Sequence, residues 1–397
     1  MHHKKHHKKM NPWIPVLVIL LLIIVVGLEI YLLFFQQPTT SITTQETSES
    51  TIQTTQSSET LTDSAKNAEN FNQTVEPHST LAKELQQKLI DKKFTGTALV
   101  VHQGNIVLQK GFGHANVAES RPNTEQSTFQ IGSIQKALTA VLVLQQVQKN
   151  QLALDQTLNN FYPSVPGSEK ITIRQLLSMR SGLYQKDYPT EMMSDDDFLH
   201  FSITHAQMGN YGKYKYDGVN YRILAGVLER VTNQTYRELF NQTFVQNAKL
   251  MHTTFYDDFL TSFNRTYAYE NVSGKDFGDE IMDNHLTFDQ EVGTGNVAMT
   301  VGDLYLFYAH LFEGDFISKQ LMSELWTPDT ETKYMGGLYN FPSYIKGHGS
   351  EAGFESNALF SKDQQDAVIL LSNQHPKDKT NSDLANALFN LPGPYQA

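Results

Sequence analysis

Thr97-Ala98-Leu99-Val100-Val101 and Ile106-Val107-Leu108 stand on either side of His102-Gln103-Gly104-Asn105. Two short aliphatic, β-branched runs around a turn containing Gly and Asn predict a β-hairpin. Its counterpart lies near the other end of the chain, where residues 357–360 and 367–371 read as paired strands around the polar turn 361–366. The remaining patterns are helical: 81–93, 133–150, 221–231, 234–240 and a last helix at 382–389. In 133–150, Ala137, Leu138, Val141, Leu142, Leu144 and Val147 share one broad face. Strands at both ends with helices between them predict an α+β fold, an antiparallel sheet built from both chain ends, flanked by helices and interrupted by a mostly helical insertion. An alternating parallel sheet would need strands and helices to take turns, and they do not.

Upstream of the hairpin the composition changes twice. Residues 13–35 hold 18 Leu, Ile, Val or Phe, and as a helix they would span ~34 Å against a hydrocarbon core of ~30 Å. Glu29 is the one charge, and its off-centre cost of at most ~3 kcal/mol is outweighed by its apolar neighbours. The stretch leaves through Phe34-Phe35-Gln36-Gln37-Pro38, without the small residues of a cleavage site, so it reads as an uncleaved anchor. Lys4, Lys5, Lys8 and Lys9 precede it, which places the N-terminus in the cytoplasm and the rest outside. Residues 36–80 contain 19 Ser or Thr and too few apolar side chains to offset the entropy of ordering. The expected organisation is a basic tail at 1–12, a transmembrane helix at 13–35, a disordered linker at 36–80 and an extracellular domain at 81–397.

The 397 residues are 40% apolar and 18% charged, with a formal net charge of −11. Such a balance argues against nucleic acid as a partner, because phosphate contacts need a basic face. There is no Cys, which excludes disulfides, a thiol nucleophile, thiolate metal sites and lipoprotein attachment, and fits the surface of a Gram-positive cell. His2, His3, His6 and His7 lie in a solvated tail with no defined ligand geometry. There is no His-Glu-x-x-His, Walker loop or Gly-x-Ser-x-Gly elbow, and nothing calls for a metal or cofactor.

The positive signal is Gly132-Ser133-Ile134-Gln135-Lys136. Positions i and i+3 share a helix face, so Lys136 Nζ can reach Ser133 Oγ and act as base for a weak hydroxyl nucleophile. A helix start also offers N–H donors to an oxyanion. The spacing alone is unspecific, since Ser133 would serve equally as an N-cap. A second copy, Ser343-Tyr344-Ile345-Lys346, follows Pro342 in an expected loop or short extended segment, where nothing brings the two side chains together.

Three ordered segments add specificity. Phe129-Gln130-Ile131-Gly132-Ser133-Ile134-Gln135-Lys136, with Leu152-Ala153-Leu154-Asp155 and residues 171–183 downstream, is the first. Tyr214-Lys215-Tyr216-Asp217-Gly218-Val219-Asn220-Tyr221 is the second, and Lys346-Gly347-His348-Gly349-Ser350-Glu351-Ala352-Gly353-Phe354 the third. Over about residues 81–391 the chain resembles the penicillin-recognising serine hydrolases of the class C β-lactamase and D,D-peptidase type. The resemblance implies Ser133 as nucleophile, Lys136 as its base, Tyr216 as proton relay and His348 lining the site. It also implies an oxyanion hole from the Ser133 amide and an amide just after the third motif, taken as that of Glu351. Asp217, Gly218, Gly349, Ser350 and Glu351 would line the substrate.

Two departures bear on substrate. Where the second motif commonly reads Tyr-x-Asn, this chain has Tyr216-Asp217-Gly218; where the third usually reads Lys-Thr-Gly, it has His348-Gly349-Ser350. Both weaken recognition of a substrate carboxylate, and the chain looks most like the teichoic-acid D-alanyl esterase branch. The expected activity is therefore hydrolysis of a D-alanyl ester on a cell-wall polymer through an acyl-enzyme, by a protein held to the membrane by its N-terminal helix. The alternatives are a low-efficiency D,D-carboxypeptidase acting on peptidoglycan stem peptides and a non-catalytic wall-binding or β-lactam-sensing module.

Overall fold

The hairpin forms where the pattern places it. In the computed structural model, which describes residues 71–273, 275–326, 333–374 and 381–391, strands β1 (Gly96–His102) and β2 (Asn105–Phe112) pair antiparallel through a turn at Gln103-Gly104, both with positive φ. Helix α1 (Thr80–Asp91) precedes them, its N-cap Ser79 accepting from Ala82 N–H. Then come α2 (Gln135–Gln148), α3 (Val219–Thr232) and α4 (Val301–Glu313), followed by β3 (Tyr334–Met335), β4 (Leu338–Asn340), β5 (Tyr344–Glu351), β6 (Phe354–Ser361), β7 (Ala367–Ser372) and α5 (Ser382–Phe389). The sheet runs β3-β4-β5-β6-β7-β1-β2 with every neighbour antiparallel. The first and last strands of the domain are thus joined at β1 and β7, Ala98 opposite Leu370.

Period-two alternation sorts the sheet's side chains between two cores. Ala98, Val100, Val368 and Leu370 pack with Leu85, Leu89, Leu384 and Leu388 of α1 and α5. Leu99, Val101, Ile369 and Leu371 face the larger core built on α2, α3 and α4. Of the fourteen residues of α2, eleven are buried, so it is a central helix rather than an amphipathic surface one. After α3, residues Tyr236–Phe240 start a helix on a Thr235–Glu238 capping box and continue as a π-helix over Asn241–Asn247.

One expectation changes. Residues 71–79, assigned to the linker, pack on the domain: Phe71 stacks on Tyr305 at 5.4 Å, and Asn72 Nδ2 lies 3.4 Å from Asp303 Oδ1. Val75 and Gln109 exchange backbone hydrogen bonds of 2.9 and 3.1 Å, which covers the free edge of β2. The segment 343–346, expected as a loop or short extended piece, enters the long strand β5 at Tyr344. The tail at 1–12, the membrane span at 13–35 and the linker at 36–70 lie outside the described residues; among those described, no helix is long and apolar enough to cross a bilayer.

Candidate active site

Ser133 sits on a single 3₁₀ turn, Gly132–Ile134, that runs straight into α2. Gly132 has φ +50°, and a Cβ there would stand 3.0 Å from Ser350 N, so backbone freedom and close approach both favour Gly. No side chain caps the turn or the helix. The Ser133 hydroxyl is therefore not a helix cap. Its Oγ accepts from Lys136 Nζ at 2.9 Å, and the amine also donates to Thr294 O at 2.9 Å. Lys136 is only 3% exposed, and these two bonds fix where its nitrogen points. Tyr216 completes the group: Lys136 Nζ lies 5.5 Å from its ring centroid, and the ring edge rests on buried Tyr334 at 5.7 Å. Tyr216 is 41% exposed, within reach of a substrate.

Strand β5 closes the site from the side. A Cβ on Gly349 would lie 2.0 Å from Ile131 O and 2.9 Å from Ser133 N, so only Gly lets the strand pass this close to the turn. The hairpin register then decides which amide is available. Glu351 and Phe354 flank the two-residue turn Ala352-Gly353, both with positive φ, and a tight hairpin of this kind hydrogen-bonds the flanking pair. Because hydrogen-bonded and non-bonded pairs alternate, Glu351 gives its N–H to β6, while Ser350 N–H points off the opposite edge, beside Gly132. The expected oxyanion amide of Glu351 is corrected to that of Ser350. The signal in the sequence was the Ala-Gly pair between two extended runs.

A nucleophile-type serine, a buried lysine and a tyrosine beside an open strand edge thus come from three separate segments. The Beta-lactamase family model matches residues 73–390. The chain belongs to the Beta-lactamase family. It is 29% identical over 280 residues to PbpX of Bacillus subtilis, a penicillin-binding protein by designation, covering 70% of this chain and 71% of that one. It is 27% identical over 300 residues to the teichoic acid D-alanine hydrolase of Staphylococcus aureus, covering 73% of each. The crystal structure of FmtA from Staphylococcus aureus superposes with a TM-score of 0.71 at 23% identity, over 82% of this chain and 94% of that one. The family is one of serine hydrolases, and the fold expected from the ends of the chain is the family's fold.

Against that family background the departures acquire physical causes. A Cβ on Gly218 would meet Arg222 Nη2 at 3.1 Å, so the guanidinium fills the space into which a side chain at 218 would grow. Arg222 is 2% exposed and is held by Gln185 Oε1 at 3.1 Å and Glu291 Oε1 at 3.3 Å. Glu291 in turn accepts from Thr294 Oγ1, and Thr294 O holds Lys136. Asp217, expected to line the substrate, spends its carboxylate on backbone N–H groups of Val219 at 3.1 Å and Gln185 at 3.4 Å.

Alternation along β5 separates the third motif's residues. Gly349 faces the Ser133 turn and so does Glu351; His348 and Ser350 point to the other face with Lys346. His348 Nε2 is 3.2 Å from Oε1 of fully buried Glu355, whose Oε2 accepts from Asn381 N at 2.7 Å. His348 therefore braces β5, β6 and the start of α5, and the expectation that it lines the Ser133 side is corrected. Ser350 turns its amide, not its side chain, toward the Ser133 turn. Glu351 is the acidic group on the active side. Burial first, then the neighbouring Glu291, pushes its pKa up to about 7 against the pull of Lys136. Thr294, Glu291, Arg222 and Glu355 were absent from the sequence reading. They carry no motif, and the lone Arg four residues after Gly218 in an apolar helical run was the single available hint.

Proposed function

We propose that this protein is a membrane-anchored, outward-facing D-alanyl esterase that acts on a D-alanylated wall polymer, most simply teichoic acid. The observation that carries the reaction is the 2.9 Å contact between Ser133 Oγ and Lys136 Nζ on a buried helix start. Ser133 Oγ attacks the ester carbonyl while its proton passes to the amine form of Lys136. The oxyanion is held by the N–H groups of Ser133 and Ser350. As the C–O bond to the polymer breaks, Tyr216 gives its proton to the departing alkoxide and takes one back from the Lys136 ammonium. Water then cleaves the D-alanyl–Ser133 ester, with the same groups moving the proton.

Charge supports the substrate class. A D-alanyl ester presents an ammonium, whereas a D-Ala-D-Ala end presents a carboxylate. On the Ser133 side of β5 stand Glu351 and, behind it, Glu291, and the Lys usual in the third motif is missing. A carboxylate–ammonium bond contributes about 1.5–3 kcal/mol, a preference of roughly tenfold to a hundredfold. The relatedness to teichoic acid D-alanine hydrolase points the same way. The hydrophobic stretch 13–35 with Lys4, Lys5, Lys8 and Lys9 before it supports the anchor and its orientation. The test is release of free D-Ala by the full-length protein from D-alanylated teichoic acid and, separately, from a muropeptide pentapeptide, with intact mass reporting the acyl-enzyme. Ester turnover should exceed peptide turnover at least tenfold. Faster cleavage of the pentapeptide would replace this reading with a carboxypeptidase, and no adduct on either with a non-catalytic module.

A further inference from the structure

Lys136 is aimed from a part of the chain that none of the three motifs contains. Its amine donates to the carbonyl of fully buried Thr294 at 2.9 Å. The same peptide unit carries Gly295 N–H, and in a trans peptide the two groups point in opposite directions. Gly295 N–H and Thr294 N–H both donate to Glu291 O at 2.9 Å, so the closed turn leaves the Thr294 carbonyl facing outward, onto Lys136. The Glu291 carboxylate locks that turn a second time, Oε2 accepting from Thr294 Oγ1 and Oε1 from Arg222 Nη2 at 3.3 Å. We infer that Glu291, countered by Arg222, is the positioning residue of the nucleophile's base: it aims the Thr294 carbonyl at Lys136 and balances the charge around the amine.

The surroundings leave neither partner free to move. Gly293, with φ +72°, is wedged against α3, where a Cβ would stand 3.0 Å from Ala225 Cβ, and its carbonyl accepts from Thr139 Oγ1 of α2 at 2.8 Å. The Arg222 guanidinium lies 5.3 Å from the ring centroids of both Tyr188 and Phe198, and its Nη1 donates to Gln185 Oε1. Asp217, the other carboxylate near it, is committed to the Val219 and Gln185 amides.

Aim matters because of what a base must do. Lysine as an ammonium has three N–H donors and no acceptor; once deprotonated it keeps two and gains one lone pair. With one N–H held by Thr294 O, the lone pair can turn to the Ser133 hydroxyl, which must give up its proton. Charge matters too. A carboxylate near the amine favours the ammonium, which cannot accept that proton, and the Arg222 cation offsets it. The inference rests on Ser133 and Lys136 being the reacting pair, but not on the nature of the acyl group.

The test is single-turnover acylation of the full-length protein by p-nitrophenyl acetate between pH 5 and 9, quenched and read by intact mass. A rate constant obtained this way does not depend on the fraction of protein that is folded. The pH of half-maximal acylation reports loss of a proton from the base. Glu351, which faces the same side from β5, and Tyr216 also stand near the amine; each variant is therefore repeated with Glu351→Gln, which removes that carboxyl's titration from the comparison. Glu291→Gln should lower the plateau roughly tenfold and move the half-maximal pH down by about 0.5–1 unit, and Arg222→Gln should move it up by a similar amount. Thr294→Val, which keeps the carbonyl and nearly the same shape, should lower the plateau a few-fold with the half-maximal pH unmoved, and it reports even where Arg222→Gln fails to fold. A brace that served the fold alone would lower stability and leave the half-maximal pH in place. An unmoved half-maximal pH in Glu291→Gln, shifts of the same sign in the two charge variants, or a wild-type rate constant in Thr294→Val would each overturn the inference while leaving the esterase reading intact. Absence of any Ser133-dependent adduct in the wild type would overturn both.

Discussion

Ser133 and Lys136 have the same spacing as Ser343 and Lys346, yet the backbone gives the two pairs opposite fates. On the helical turn, residues three apart share a face, and Nζ meets Oγ at 2.9 Å. Ser343 stands just before β5, which begins at Tyr344, so no helical turn brings the pair together, and Lys346 Nζ reaches Ser382 Oγ on α5 instead, also at 2.9 Å. A Ser-x-x-Lys pair is thus a chemical unit only when helical. The largest effect should come from breaking the first pair. Ser133→Ala is expected to abolish D-Ala release and any covalent adduct, with an unfolding free energy within ~0.5 kcal/mol of wild type, because the hydroxyl caps nothing. Lys136→Ala should be as damaging. Retained turnover in either variant would remove the pair from the reaction.

Tyr216 belongs only to the first pair, and its ring is held by Tyr334 independently of its hydroxyl. Tyr216→Phe should keep the packing and lower the acylation rate by 10²- to 10⁴-fold, the usual range for loss of a general acid-base group. A fall of less than about fivefold would exclude the relay.

Gly349 tests the contact between helix start and strand. A Cβ 2.0 Å from Ile131 O cannot be accommodated without moving β5, and moving β5 withdraws the Ser350 amide. Gly349→Ala should lower kcat by ~10²- to 10³-fold, as loss of an oxyanion donor does, and cost about 1–3 kcal/mol of stability. Stopped-flow acylation and chemical denaturation read the two effects; wild-type kcat with reduced stability would leave Ser350 out of the oxyanion hole.

The sequence revealed what is local and periodic. The hairpin strands, the terminal strands and the buried helix α2 announce themselves by alternation or helical spacing, and Ser133 reaches Lys136 within one turn. What it hid is held by distant chain. Thr294 fixes Lys136 across 158 positions, and Arg222 fills the space beside Gly218 only because α3 folds against Glu291. Even within the third motif, the choice between the Ser350 and Glu351 amides depends on the parity of a hairpin whose turn was not read. The linker boundary failed for a similar reason: Phe71, Asn72 and Val75 are isolated in a polar segment, and only their partners Tyr305, Asp303 and Gln109 make them part of the domain.

Glu351 offers a smaller, pH-dependent effect. Its carboxyl is pushed up to about 7 by burial and Glu291, so it gains charge as pH rises through 7, while the ammonium of a D-alanyl ester begins to lose its proton near ~8. KM for the ester should fall between pH 6 and 7.5, and Glu351→Gln should raise KM about tenfold at pH 7.5 while leaving kcat nearly unchanged. Stability has the opposite sign. A raised carboxyl pKa favours the folded state's protonated form, so wild type loses stability as pH rises from the unfolded value of 4.5 through about 7. Glu351→Gln should therefore gain in Tm relative to wild type at pH 8 more than at pH 5. A KM that ignores pH in wild type would break the link to ammonium recognition.

The smallest effect is expected where the second pair is cut. Ser343→Ala keeps the backbone carbonyl that accepts from Lys362 N–H at 3.1 Å, and Lys346 Nζ gives its bond to Ser382 Oγ. Lys346→Met removes the bond to Ser382, worth about 1 kcal/mol, but it also removes a cation whose pKa is lowered by burial, which means the fold disfavours its charge. The two contributions have opposite signs, so stability should change by less than ~1 kcal/mol and D-Ala release by less than about twofold. Measured beside Ser133→Ala and Lys136→Ala on one substrate, these variants would show whether sequence spacing or backbone geometry makes the pair reactive. A tenfold loss of turnover in Lys346→Met would mean that the α5 face of β5 communicates with the active side through the His348–Glu355 brace, and that the two faces of the strand are not independent.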